Sequence, residues 1–598
     1  MSWLKLLLVG SAFATTSLAQ TAASTESGSP LKVNPGACPG AFDYSVLPPY
    51  LPSNRPGFPW GNTPPGSTIP PITGVVREYE FTVARGYAAP DGYVKPSILI
   101  NNQYYGPLIE ANWGDTIVVT VNNKISGPGE ALTIHWHGQP QQLSPWEDGV
   151  PGVSQCPIAP QSSFTYSFIA EVYGTSWYHT HASAQYTDGV FGPMVIHGPE
   201  TAPYDIDLGP IVLNDYFHMG YFQIEQLLFA SPPQFAASDN NLINGKANFN
   251  CSLAGGVPCT NNAGISKFRF ETGKVHRLRL INAGGSATQK FTIDNHNFTV
   301  IANDYVPLVP YETNVITLGI GQRTDILVEA TGKNGDIYWM RSDLDVSCFA
   351  GTVNQPHALA AIYYPNANEN NCPNTTATPW ESNNCQNDPL SETVPLFPLT
   401  PTLTPATTQE IDITVGVNGS GTLLFYMNGE SFRANYDNPV LLLAKAGNDS
   451  YPDDPEWNVY NFGKNSSIRV VLYNYFPIVH PMHLHGHSMW ILQEGIGIWD
   501  GTIVNPQNPQ RRDVHLLQPA PSTTTPSYII LQWNADNPGV WPLHCHIVAH
   551  VSAGLYVNVL ERPDLIPLRD IPASAVTTCR SWWQFSGHNV VNQIDSGE

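Results

Sequence analysis

Basic residues are scarce in this chain: Lys and Arg number 26 against 48 Asp and Glu, a formal charge of -22, and charged residues make up only 12% of 598. No basic run occurs, and an acidic field repels phosphate backbones, so nucleic acid is excluded as a partner. After residue 20 there is no stretch of ~18 uninterrupted apolar residues, the length a membrane-crossing helix needs, so the expectation is no membrane span. Long amphipathic helical stretches are scarce too, which argues against alternating strand and helix units. What is present is core material: 42% hydrophobic and 11% aromatic residues, incompatible with collagen or disorder. At about 150 residues per domain, the length predicts three or four domains.

Residues 1–19 combine one Lys, an apolar run from Leu6 to Val9 and small residues ending at Ala19, which reads as a secretory signal. Six Asn-x-Ser/Thr sequons, at Asn250, Asn297, Asn374, Asn418, Asn448 and Asn465, agree with export to the extracellular space. Cysteines pair in an oxidising compartment, and nine of them leave one thiol over. Residues 20–71, rich in Ser, Pro, Gly and Asn, read as an irregular extension on the surface.

From Val75 the text becomes short alternating runs bounded by Gly, Asn, Pro and Asp, the signature of sandwiches or barrels. The phrase at Gly114–Asn123 is echoed at Gly273–Asn282 and at Asn465–Asn474, which predicts an all-β chain of three related domains. Their expected bounds are 72–200, 205–365 and 409–565, with a Pro/Thr/Asn-rich linker over 366–408 and a tail over 566–598.

Eleven of the 18 histidines fall in four short clusters. These are His135 and His137; His179 and His181; His480, His483, His485 and His487; and His544, His546 and His550. A lone His-x-His pair is more often structural than metal-binding; four of them overturn that expectation. On a strand both imidazoles of a pair point to one face and the residue between them to the other. Four pairs exceed the needs of one zinc, which takes four ligands or three and a water. In His544-Cys545-His546 the central thiol faces away from its neighbours, and Cys545 with two histidines, His480 and His550, is the trigonal set of a blue-copper site. That accounts for the odd cysteine. The axial position on the loop after His550 falls at Leu555, which cannot coordinate, so a raised potential is expected.

His135-Trp-His-Gly138, Trp177-Tyr-His-Thr-His181, His480-Pro-Met-His-Leu-His-Gly-His487 and His544-Cys-His-Ile-Val-Ala-His-Val-Ser-Ala-Gly-Leu555 resemble, in order, the four copper signatures of the multicopper oxidases. The likeness is to ascomycete-type laccases and covers nearly the whole mature chain. It implies three consecutive cupredoxin-like Greek-key barrel or sandwich domains and four coppers. Carried over by motif, His480, Cys545 and His550 would hold type 1 copper, and His135 and His483 type 2. His137, His179 and His546 would hold one type 3 ion; His181, His485 and His544 would hold the other. The implied activity is one-electron oxidation of small phenolic or aromatic-amine donors coupled to reduction of dioxygen to water, by a monomer. Asp148, in Trp146-Glu-Asp-Gly149, stands where laccases carry a carboxylate that holds water and relays protons; the alternative is a plain Asp-Gly turn. His487 is left off the ligand set, and His197, His218, His276, His296, His357, His515 and His588 are read as ordinary.

The resemblance pairs Cys156 with Cys579; Cys251 with Cys259 reads as a local loop; the pairing of Cys38, Cys348, Cys372 and Cys385 stays open. The ending Asp595-Ser-Gly-Glu598 is close to the aliphatic-ended plug of ascomycete laccases, and Glu in last place leaves both a plug and a solvated tail standing. Ala549 stands before His550 where many laccases have Trp, so a wider approach is expected. The loop after Asn282 lacks the carboxylate that accepts a phenol proton. Ferroxidase and bilirubin or ascorbate oxidase are the neighbouring enzyme readings, and a copper-binding protein without turnover is the reading from another class. The lack of a C-terminal membrane helix, of a Met-rich segment and of Met at Leu555 counts against the enzyme alternatives; the complete ligand set counts against the last.

Overall fold

The phrase that recurs three times in the sequence is a strand each time and takes the same place in each domain. Thr116–Asn123 lies between Val76–Ala88, its parallel partner, and Ser163–Ile169, its antiparallel one. Val275–Asn282 stands likewise between Ile206–Tyr216 and Arg323–Glu329, and Ser467–Asn474 between Thr407–Val417 and Ser527–Asn534. The computed structural model describes residues 38–43, 47, 60, 63–348, 353–451, 455–588 and 593–598. The expected signal, 1–19, and most of the extension lie outside them.

Among the described residues each domain is a pair of sheets, of four and four strands, six and six, and six and five. The first domain shows the physics. Along Thr116–Asn123 every second side chain is buried, with Ile117, Val119 and Val121 inward. Each such β-branched side chain contributes roughly 1.5–3 kcal/mol by leaving water, and its stiff χ1 suits the pleat. Ser467–Asn474 is buried on both faces because Val471 and Tyr473 pack outward against Trp490, Leu492 and Tyr528. The three domains are cupredoxin-like.

Two segments carry regular structure that composition concealed. Within the extension, Gly40–Phe42 joins a sheet of the second domain beside Ile265–Arg269, and Cys38 next to it is bonded to Cys372. Within 566–598 a helix spans Ala573–Ser586, and Cys579 on it is bonded to Cys156 of the first domain. That bond sits in an apolar cluster with Val150, Phe432, Tyr556 and Trp582, so the first domain, the third and the C-terminal helix share one core. Cys251 is bonded to Cys259 and Cys348 to Cys385, which leaves Cys545 as the free cysteine.

Candidate metal centre

The histidine pairs are brought together by strand register. His135 lies opposite His179 in the first domain, and His483 lies opposite His544 in the third. The two strand pairs face each other, so rings from opposite ends of the chain stack: His137 on His483 and His135 on His485, each with centroids 3.9 Å apart. Three groups of ligand atoms result, each within 4.8 Å: His135, His137 and His483; His137, His179 and His546; His181, His485 and His544. A fourth group, His480, Cys545 and His550, lies on the other face of the Gly539–Cys545 strand, inside the core of the third domain. There His480 Nδ1 is 3.1 Å and Cys545 Sγ 3.5 Å from His550 Nδ1.

The outer ring nitrogens decide the tautomers. His135, His179, His483 and His544 each donate Nδ1–H to a backbone carbonyl, of Asp148, Thr180, Asp513 and Cys545 respectively, at 2.8–2.9 Å. His485 donates to the Asp148 carboxylate at 2.9 Å and His181 to the Glu598 carboxylate at 2.5 Å. His137 is turned the other way round, with Nε2 3.1 Å from Asp513 Oδ1. Each ring is thereby fixed with its lone pair inward. Nε2 of His135, His179, His181, His483 and His546 and Nδ1 of His137 are buried without a protein partner. Buried polar atoms are normally satisfied, so a convergent set of orphaned lone pairs fits metal ions.

Burial, the largest cause throughout, keeps these rings uncharged. His137, His179, His181, His483, His485, His546 and His550 titrate well below the ordinary range, His544 at about 4 and His480 at about 3. Neutral imidazole is the ligand form. Burial pushes the Cys545 thiol up, so thiolate forms there only with a cation beside it. Leu555 is fully buried in the same core and brings no donor atom.

Asp148 stands in a turn and touches two of the histidines. Gly149 has φ +77° and a Cβ there would collide with Ile134 O, while the Asp148 carboxylate receives His485 Nδ1–H and lies 3.3 Å from His135 Nδ1. His487 stands apart, with Nε2 3.1 Å from Glu561. The tail turns inward: Asp595, Ser596 and Glu598 are buried, Ser183 donates to Asp595 at 2.7 Å, and Tyr436 donates to the Gly597 carbonyl. A buried carboxylate is costly alone: burial holds the Glu598 carboxyl well above its ordinary range, with His181 as its hydrogen-bond partner.

Three residues of this neighbourhood escaped sequence reasoning. Asp513 and Arg323 sit in short runs with no metal spacing. Asp215, at the end of the Ile206–Tyr216 strand, receives N–H groups of Gly285 and Ser286 at 2.6 and 3.1 Å and the Ser286 hydroxyl. The loop after Asn282 therefore has a carboxylate beneath it, lent by a neighbouring strand 70 residues earlier. Gly285, Val548 and Ala549 line a small cleft with Phe217, Ile224 and Phe235, next to His550 in sequence.

Three family models described as multicopper oxidase match residues 82–201, 207–367 and 418–565. Curated relatives include the oxidoreductase OpS5 of Beauveria bassiana, 38% identical with 86% of each chain covered. Laccase-2 of Botryotinia fuckeliana is 35% identical over 88% of this chain and 90% of its own. The dihydrogeodin oxidase of Aspergillus terreus is 34% identical over 90% and 93%. Among solved structures, the laccase from Botrytis aclada superposes with a TM-score of 0.83 at 34% identity, covering 90% of this chain and 98% of that one.

Proposed function

The chain belongs to the multicopper oxidase family and is a laccase-like oxidoreductase, and on that premise we propose which residues hold its coppers and what donors it takes. His480, Cys545 and His550 would hold the type 1 ion, His135 and His483 the type 2 ion. His137, His179 and His546 would hold one type 3 ion and His181, His485 and His544 the other. When bound, the coppers take single electrons from a donor and deliver four to dioxygen, giving two waters. The observation that carries the assignment is the set of inward lone pairs left without a partner in a buried site.

The protein's own groups do the rest. Cys545 is bonded through the backbone to His544 and His546, a short covalent connection between the two parts of the site. Asp148 fixes His485 and faces His135, and its carboxylate stands ready to hand a proton to oxygen chemistry. Phe217, Ile224 and Phe235 offer apolar contact to an aromatic donor, with Ala549 and Gly285 leaving room. Asp215, hydrogen-bonded to the Gly285–Ser286 wall of that cleft, would accept the proton that a phenol sheds on losing an electron. One chain supplies all ten histidines and the thiol, which supports a monomer. Eight paired cysteines support an oxidising compartment and hence export; among the described residues no helix is long and apolar enough to cross a membrane.

The test is oxygen uptake by the copper-loaded protein over a panel of phenols, aromatic amines, bilirubin, ascorbate and ferrous iron. Turnover of phenols or aromatic amines is expected. A preference of orders of magnitude for iron or bilirubin would sink the donor assignment.

A further inference from the structure

The middle domain contributes no histidine to the site, yet it presses on it. Gly321, with φ +83°, lies so close that an added Cβ would stand 2.8 Å from His546 and 3.0 Å from His137. Two residues on, Arg323 is fully buried and aims its guanidinium fork at Asp513 of the third domain, Nη1 to Oδ1 at 2.5 Å and Nη2 to Oδ2 at 2.7 Å. Asp513 Oδ1 is in turn the partner of His137 Nε2 in the first domain, and the Asp513 carbonyl receives His483 Nδ1–H at 2.9 Å. One residue thus orients a ring from each ligand-bearing domain, and the fork orients that residue.

The fork is itself held on every side. Its Nη1 and Nε donate to the carbonyls of Gly321 and Thr175 at 3.0 and 3.2 Å. Asp304 of the middle domain accepts from the Arg323 amide and from both the Arg512 side chain and the Asp513 amide, all at 3.0–3.1 Å. Gly138, beside His137, leaves the space: a Cβ there would meet Arg323 Nη2 and Asp513 Oδ2 at 2.6 Å. A buried ion pair is weak evidence for stability, since apolar residues of similar volume often do as well. What an apolar pair would not supply is a carboxylate locked in one plane against Nε2 of His137.

We propose that Arg323 is a positioning residue through which the middle domain sets the tautomer and direction of His137, by clamping Asp513 in a forked ion pair. The inference rests on the copper assignment above. It predicts that Arg323→Met weakens retention of the ions held with His137 by about 10- to 100-fold, the usual effect of losing a group behind a ligand. Among the described residues no hydrogen bond joins His480, Cys545 or His550 to Arg323 or Asp513, so that site is expected to keep its blue absorption.

The experiment challenges full-length copper-loaded protein with a chelator and follows copper per chain by mass spectrometry beside the blue band. The variants are Arg323→Met, Arg323→Lys and a control, Arg341→Met. Arg341, 8% exposed against 0% for Arg323, makes a similar fork to Asp294 in the same domain, away from the site. Melts of the metal-free proteins separate loss of fold from loss of orientation. The expected order of copper retention is parent and Arg341→Met, then Arg323→Lys, which keeps the charge without the fork, then Arg323→Met. If Arg323→Met does not fold, Arg323→Lys decides alone. Parent-like retention in the folded Arg323 variants, or equal loss in Arg341→Met, overturns the proposal; a parent that binds no copper overturns the assignment beneath it instead.

Discussion

At the level of single residues, chemistry is set by what each side chain cannot do. Cys545 cannot form a disulfide, because its strand turns it into the core between two histidines that face the opposite way. Cys545→Ser is expected to abolish the blue absorption and donor oxidation while the protein still folds; retention of the band would exclude the thiol as a ligand. Asp215 can accept a proton only when ionised. Burial, its largest cause, raises its titration above the ordinary carboxylate range, so phenol oxidation should fall as pH drops through that raised value, the acid form having no vacancy for a proton. Asp215→Asn should lower kcat/KM for phenols by about 10²–10⁴-fold, the usual worth of a placed base, and leave an inorganic one-electron donor such as ferrocyanide unaffected. Equal loss for both donors would make Asp215 structural. The histidines were legible in the sequence because ligand spacing is local. Asp215, Asp513 and Arg323 were not: Asp215 meets Ser286 from 71 residues away, Arg323 and Asp513 meet across a domain boundary, and no spacing records either.

At the level of elements, alternation carried the strands and repetition carried the domains, since a side-chain period of two is written into any half-buried strand. The same rule explains the misses. Gly40–Phe42 is three residues long, too short to show a period. The helix Ala573–Ser586 buries Ala575, Thr578, Cys579 and Trp582, a face at helical spacing built largely from small or polar residues, so its amphipathic signal is faint. The Cys156–Cys579 bond therefore does much of the anchoring. Removing it as Cys156→Ser/Cys579→Ser should cost about 2–4 kcal/mol and expose the helix to limited proteolysis. Resistance equal to the parent's would show that Trp582 and its neighbours suffice.

At the level of the molecule, the site is a joint. The ligands proposed for its shared cluster come from the first and third domains, so metal bound there would bridge them, and binding energy would become folding energy. Stripping copper should lower the unfolding temperature, by roughly 2–4 °C for each kcal/mol lost in domains of this size. The metal-free protein should also turn acid-labile. Its histidines titrate lower folded than unfolded, so the unfolded chain takes up protons first. Their contribution is complete above about pH 6.5 and is lost as pH falls toward about 4 and 3, the folded values of His544 and His480. Calorimetry of metal-free protein across that range checks it; an unchanged midpoint would contradict the burial argument.

The same joint places a clock on assembly. His181 meets Glu598 across 417 residues, a stretch that takes a ribosome about 20–80 s at ~5–20 residues per second. Through that interval the first domain can fold with its half of the lone pairs facing nothing. The shared cluster can close only once His483, His485, His544 and His546 of the third domain are made, and a chain stopped before them would be a vessel with no closed place to put an ion.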